Sequence, residues 1–249
     1  MPLSFKNFIN VAKNSPAEVS RPRAYLKNHS SRFYETYLLV NDLINDSADV
    51  LSVGAGRAFV EFAIAKERNA KISVFDFQEA INRNMDQYTP YNFSTYAGNF
   101  LEDTDLIGNK KYDLILFCEI IEHIPVPPKD QIQTLLKYLK PGGYLVISTP
   151  NIASSNSLMK LINSKNIIAP AEKLFSPVSA ENEHVHRREY IMKEVSEACR
   201  QCDMKVISEK YIFMSSPQIK PLSLLQYVFL CVLKKFRPMM LLAAQKNAS

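Results

Sequence analysis

A doubly wound, mostly parallel α/β sheet is the fold class this sequence predicts, and three observations predict it. Short apolar runs alternate with stretches of helical periodicity from about residue 49 onward. The connections between them are short, as parallel strands joined by helices require. One strand ends at Gly54-Ala55-Gly56, and the next ends at an acid, Asp76.

Val50-Leu51-Ser52-Val53 is the first strand, and Gly54 stops it. Ala58–Glu67 carries apolar residues at 59, 60, 62, 63 and 64 and predicts a helix. Lys71–Phe75 is a second strand, Gln78–Gln87 a weaker helix, and Ser94–Ala97 a third, short strand. Tyr112–Phe117 is almost continuously apolar, which predicts a strand buried on both faces. Asp130–Leu139 is a helix with apolar residues at 132, 135, 136 and 139. Lys140-Pro141-Gly142-Gly143 is expected to end it, because proline and glycine do not continue a helix. Tyr144–Ser148 is the fifth strand. Before the sheet, Arg23–Asn45 predicts one or two helices, so residues 1–48 form a helical cap and 49–249 the main domain. After it, residues 151–183 read as irregular, and the segment to about 186 is a candidate substrate loop or lid. Tyr190–Cys202 is helical, Met204–Tyr211 a sixth strand, Leu222–Phe236 a helix and Met239–Ala244 a last strand.

The composition excludes several classes. A chain of 249 residues, 47% hydrophobic and 22% charged, folds around a full core and is neither disordered nor glycine-repetitive. Cys118, Cys199, Cys202 and Cys231 have no framework spacing, which argues against a disulfide-built secreted domain. Cys199 and Cys202 share a helix with no second pair nearby, so they read as semi-buried thiols rather than a zinc site. The first residues lack a charged-then-apolar leader pattern, and the expected location is the cytoplasm. The net charge of +5 is concentrated early: residues 1–37 hold six Lys/Arg (Lys6, Lys13, Arg21, Arg23, Lys27, Arg32) against Glu18 and Glu35. That patch is either a solvated face or an attractor for an anionic acceptor. The apolar run 222–233 is shorter than the ~20 residues a membrane helix needs. With Lys234, Lys235 and Arg237 behind it, residues 222–237 read as a buried or surface amphipathic helix, with peripheral membrane contact as the alternative.

Two glycines at a strand tip let a backbone approach a ligand closely. Asp76 follows Gly56 by twenty residues, where a carboxylate can accept both hydroxyls of a ribose. Together they predict an adenosine site. Phe59 stands where a dinucleotide fingerprint needs a small residue, and no G-K-[ST] follows, so nicotinamide, flavin and P-loop readings are disfavoured.

Val50–Ala58, Phe75-Asp76, Gly98-Asn99-Phe100, the strand Tyr112–Phe117 and Leu139–Asn151 resemble, in order and spacing, the motifs of class I S-adenosylmethionine-dependent methyltransferases. The resemblance covers about residues 49–245. It implies a Rossmann-like seven-stranded sheet flanked by helices, its last strand antiparallel, and S-adenosyl-L-methionine as methyl donor. It places Gly54, Ala55 and Gly56 under the methionine part, Asp76 and Phe77 at the ribose, and Asn99 and Phe100 at the adenine. Cys118 borders the same pocket. The family's first motif usually opens with Asp or Glu; here it is Ser52, whose hydroxyl reaches an ammonium through water but without charge.

Glu119-Ile120-Ile121-Glu122-His123 follows the fourth strand. A helical turn starting at Glu119 would put Glu122 and His123 on its face. Two carboxylates and an imidazole suit a hard divalent ion, Mg²⁺ or Mn²⁺, which lowers the pKa of a bound hydroxyl. A second cluster, His184-Val185-His186-Arg187-Arg188-Glu189-Tyr190, lies beyond the loop. The E-x-x-E-H pattern resembles two metal-dependent branches of the family, the ubiquinone-pathway O-methyltransferases and the small-RNA 3′-end 2′-O-methyltransferases. In the latter a later histidine, here His186, completes the metal site. The resemblance thus implies Glu119, Glu122, His123 and His186 as metal ligands and acceptor-activating groups. A metal-free site with His184 or His186 as general base, or histidines with a structural role, are the alternatives. Tyr25 and Tyr34 on the front helix are candidates to cap cofactor or acceptor.

The expected chemistry is O-methylation of a small molecule or saccharide. An RNA 3′ end is the alternative acceptor, against which stands the lack of RNA-binding motifs or a strong basic run. A non-catalytic cofactor-binding partner subunit is the rival from another class; Ser52 favours it, and the retained acidic-histidine cluster argues against it.

Overall fold

The computed structural model describes residues 1–15, 24–175, 185–215 and 221–248, without the side chains of 24, 104 and 221–226. Seven strands make one sheet: β1 (Asp49–Val53), β2 (Lys71–Asp76), β3 (Ser94–Ala97), β4 (Tyr112–Cys118), β5 (Leu139–Pro150), β6 (Met204–Ile212) and β7 (Met239–Lys246). Their order is β3-β2-β1-β4-β5-β7-β6. The pairs β1–β2, β2–β3, β1–β4 and β4–β5 are parallel, and β7 runs antiparallel between β5 and β6. The Rossmann-like sheet with an antiparallel last strand is therefore present.

Helices α1 (Phe5–Lys13) and α2 (Ala24–Leu43) precede the sheet. Then come α3 (Phe59–Arg68), α4 (Gln78–Tyr88), α5 (Pro128–Leu136), α6 (Ser155–Ile162), α7 (Ala171–Leu174), α8 (Met192–Gln201) and α9 (Pro221–Val232). Strand β4 shows why the sheet has two covered faces. Its alternate residues feed different cores, Ile115 and Phe117 one, Leu114 and Leu116 the other. All four are fully buried, at about 1.5–3 kcal/mol of transfer free energy each. Phe8, Tyr37 and Val40 join the second core, so α1 and α2 pack onto the sheet. Tyr34 belongs to that packing and not to a cofactor cap: its hydroxyl donates to the Leu3 carbonyl at 3.0 Å, and its ring meets Phe5 and Phe8.

Three expectations need correction. The helix expected to run to Leu139 ends at Leu136, and Lys140-Pro141-Gly142-Gly143 lies inside β5 instead of breaking the chain. A register shift between Tyr112 and Leu114 accommodates it. Lys140 Nζ sits 2.9 Å from Asp113 Oδ2 across that irregularity. At Gly143 a Cβ would come within 2.9 Å of the Lys140 carbonyl oxygen and 3.0 Å of that of Asp113, so backbones approach there as only glycine permits. The stretch 151–183, read as irregular, holds α6 and α7, and Ser154 caps α6 by accepting from the Ser157 N–H at 3.2 Å. The expected helix Leu222–Phe236 is α9 followed by a separate 3₁₀ turn, Lys234–Phe236.

On α9, Val228, Phe229 and Val232 are exposed and Leu230 is buried. Among the described residues no helix is long and apolar enough to cross a membrane.

Candidate active site

The strand order reverses between β1 and β4, and open α/β sheets bind ligands in the crevice at the carboxyl ends of such strands. A cavity of about 760 Å³ opens there, lined among others by Gly54, Asp76, Phe77, Asn99 and Phe100. A second, of about 480 Å³, is lined by Ser52, Ala55, Glu61, Arg32, Cys118 and His186, among others. Gly54, Gly56, Glu119 and His123 line both.

Gly54 has φ +69°, and a Cβ on it would lie 2.1 Å from Ile120 Cδ1. The first turn is thus built for close approach, in the left-handed region that suits glycine. Tyr88 braces it by donating to the Gly56 carbonyl at 2.8 Å. Asp76 ends β2, and its Oδ1 accepts the Phe77 N–H at 2.9 Å. Asn99 heads a tight loop: its N–H donates to Asp103 Oδ2 at 2.7 Å, and its Oδ1 accepts from Leu101 at 3.1 Å. Every residue expected at the cofactor therefore lines one cavity or the other.

Ser52 does not reach outward for a ligand. Its hydroxyl donates to Glu61 Oε1 at 2.6 Å. Glu61 is buried on α3, and burial raises its pKa above the ordinary carboxylate value. Burial likewise pushes the Cys118 thiol up to about 12, which disfavours the thiolate a nucleophile needs.

Glu119 departs from the expected geometry. It stands just past β4 with φ +59°, so no helical turn starts there; the turn begins at Ile120, whose carbonyl accepts from the His123 N–H at 2.9 Å. Its carboxylate instead meets Arg32 Nη1 at 2.7 Å and accepts from Ser148 Oγ at 2.9 Å. Arg32, counted above with the basic patch, is buried. Burial lowers its pKa, but Glu119 and Tyr25 raise it more, and the balance lies above the ordinary value. Tyr25, His29, Arg32, Phe33 and Thr36 all face the second cavity from α2. Their spacing of four, three, one and three is one helix stripe.

The two histidine clusters do meet. The N–H groups of Arg187 and Arg188 donate to the Glu122 carbonyl at 2.7 and 3.2 Å. This docks the later segment beside the first, and the rings of His123 and His186 lie 4.9 Å apart, edge to face. Glu122, His123 and His186 each offer one ligand atom, all within 4.8 Å of one another. Glu122 is fully buried, and Oε2 accepts from Thr149 at 2.9 Å. Burial first, and the Glu119 charge second, hold its pKa well above the ordinary carboxylate value. His123 Nδ1 contacts the Val185 carbonyl at 3.1 Å. His186 Nδ1 lies 3.0 Å from Glu189 Oε1. His184, the other candidate base, falls outside the described residues.

Sequence reasoning missed Glu61, Arg32 and His29 as site residues. Glu61 had a signal: it is an acid inside the apolar run Phe59–Ile64. The α2 stripe had one too, in its spacing.

A family model described as a methyltransferase domain matches residues 23–209. The ubiquinone biosynthesis O-methyltransferase of Rickettsia canadensis is 27% identical over 123 residues, 48% of this chain and 50% of that protein. The chain spans about half the length of the curated relatives it matches. Among solved structures, the methyltransferase in complex with the Haloferax volcanii Trm112 activator superposes with a TM-score of 0.62 at 14% identity, over 96% of this chain and 97% of that one. A SAM-dependent methyltransferase from Archaeoglobus fulgidus gives 0.54 at 14% identity, over 90% of this chain and 100% of that one. At these identities the structures establish the fold alone.

Proposed function

We propose that this chain, which belongs to the methyltransferase-domain family of class I S-adenosylmethionine-dependent methyltransferases, methylates a hydroxyl of a small-molecule or saccharide acceptor. One observation carries the reading: the glycine-turn cavity and the histidine-lined cavity share Gly54, Gly56 and His123, so a donor held on the turn and an acceptor held beside the histidines would meet. The relatives named as O-methyltransferases favour oxygen.

The residues fit the cofactor. Gly54 and Gly56 leave the turn bare, Asp76 and Phe77 stand at the second strand end for the ribose, and Asn99 and Phe100 line the same cavity for the adenine. Arg32 is a buried cation for the methionine carboxylate. When bound, S-adenosylmethionine supplies a methyl group on a cationic sulfonium, already activated. The protein then has two tasks, alignment of the acceptor and removal of its proton. His186 takes the proton: Glu189 at Nδ1 fixes the ring and leaves Nε2 as the basic nitrogen. His123, held by the Val185 carbonyl, walls the same space. Of the candidate substrate loop, residues 176–184 lie outside the described ones; Ile152, Ile167 and Ile168 share a cavity with His186.

A second reading rests on the three donors that converge at Glu122, His123 and His186. These would hold Mg²⁺ or Mn²⁺, which lowers the pKa of an acceptor hydroxyl. Glu119, ion-paired to Arg32, is not among them.

Turnover with a methyl-labelled donor and a panel of phenolic and saccharide acceptors tests the proposal. Labelled O-methyl product in the presence of chelator supports the His186 base. Activity that chelator removes and Mg²⁺ or Mn²⁺ restores supports the metal reading. Donor binding without any product across the panel favours the non-catalytic partner subunit.

A further inference from the structure

We propose that Glu61 is the carboxylate that receives the α-ammonium of the cofactor's amino-acid tail. The inference rests on the cofactor reading above and adds a ligand group to it.

Glu61 is the third residue of α3, the helix that follows the glycine turn. It is only 7% exposed, and it lines the same cavity as Gly54 and Gly56. Its neighbours on the helix are Phe59, Val60, Phe62, Ala63 and Ile64, all buried. A carboxylate in such a setting is costly to desolvate, and an apolar residue there would give a more stable helix. Its hydrogen bonds come from Ser52 Oγ, at 2.6 Å, and from its own backbone. Neither donor carries charge. Among the described residues Glu61 forms no ion pair, unlike Glu119, the other acid that lines the cavity. Arg32, the buried cation of this cavity, is taken by Glu119. Burial raises its pKa accordingly.

The arrangement is a buried anion site that waits for a cation from the ligand. The amino-acid tail offers one, at the end of the cofactor that the glycine turn admits into this cavity. Arg32 and Glu61 then divide the zwitterion, the guanidinium facing its carboxylate and Glu61 its ammonium. Ser52 acts by orienting Glu61, so its hydroxyl needs no charge of its own.

The test is a calorimetric cycle on the full chain with two ligands, S-adenosylhomocysteine and its deaminated analogue, and two proteins, wild type and Glu61→Gln. Wild type is expected to bind S-adenosylhomocysteine about tenfold or more tighter than the analogue, and the variant to bind the two within about twofold. A preference that persists unchanged in the variant overturns the proposal, because a structural role for Glu61 would weaken both ligands alike. Wild type that binds both equally overturns it without recourse to the variant. Wild type that binds neither overturns the cofactor reading, and this inference with it.

Discussion

Arg32 ties α2 to Glu119 at the carboxyl end of β4, and its removal has a calculable effect. Arg32 Nη1 and Glu119 Oε2 lie 2.7 Å apart, with side-chain exposures of 8% and 22%. Two unit charges about 4 Å apart interact by about 4 kcal/mol at an effective dielectric of 20. Breaking a buried pair from one side costs about 3–5 kcal/mol, and the partial exposure of Glu119 reduces that to about 2–3 kcal/mol. In Arg32→Met the Glu119 charge is left facing Glu122 with no counterion, and Glu122 already feels it. At about 2–4 °C per kcal/mol for a chain of this size, the melting temperature should fall by about 4–12 °C. In Arg32→Met/Glu119→Gln no orphaned charge remains, and about half of the loss should return. Differential scanning calorimetry of wild type, both single variants and the double closes the cycle. The reasoning is refuted if the double variant is no more stable than Arg32→Met, because the pair would then contribute nothing beyond its packing.

Other perturbations separate the remaining parts of the site. Gly54→Ala places a methyl 2.1 Å from Ile120 Cδ1 on a backbone at φ +69°; it should destabilise the protein by about 1–3 kcal/mol in chemical denaturation and weaken S-adenosylhomocysteine binding by about tenfold or more. His186→Asn should lower turnover by about 10²–10⁴-fold while cofactor affinity in calorimetry stays within about twofold; a parallel loss of both would assign His186 to cofactor binding. Burial, and then the nearby Arg32 charge, lower the His29 pKa from 6.5 to about 4. Between those values the folded state binds fewer protons than the unfolded state, so the stability is complete above pH 6.5 and is lost as pH falls toward 4. After allowance for partial exposure, that loss is about 1–2 kcal/mol, and thermal melts of His29→Asn across this window should show a shallower slope than wild type.

Sequence reasoning recovered what local patterns encode. The turn Gly54-Ala55-Gly56, the acid Asp76 at the second strand end and the doubly buried β4 all follow from short-range composition and periodicity. The approach of His186 to His123 followed from a family pattern, and the bond between Arg187 N–H and the Glu122 carbonyl is what makes it physical. Glu119 was misread because i, i+3 logic presumes a helix, whereas a residue at φ +59° turns its carboxylate toward α2. Ser52 looked like a missing charge because its partner sits nine residues on, across a strand–helix junction. Lys140-Pro141-Gly142-Gly143 looked like a stop because a strand that accommodates proline needs an irregular neighbour, and the register shift at Tyr112/Leu114 is a tertiary feature. In each case the deciding feature lies outside the short pattern from which the expectation was drawn.

The crevice between the β1 and β4 ends is the proposed donor site for S-adenosylmethionine. Calorimetric titration of the full chain with S-adenosylhomocysteine tests it most directly. Saturable one-to-one binding with a Kd in the micromolar range is expected. The absence of any saturable heat, with the protein folded by circular dichroism, would contradict it.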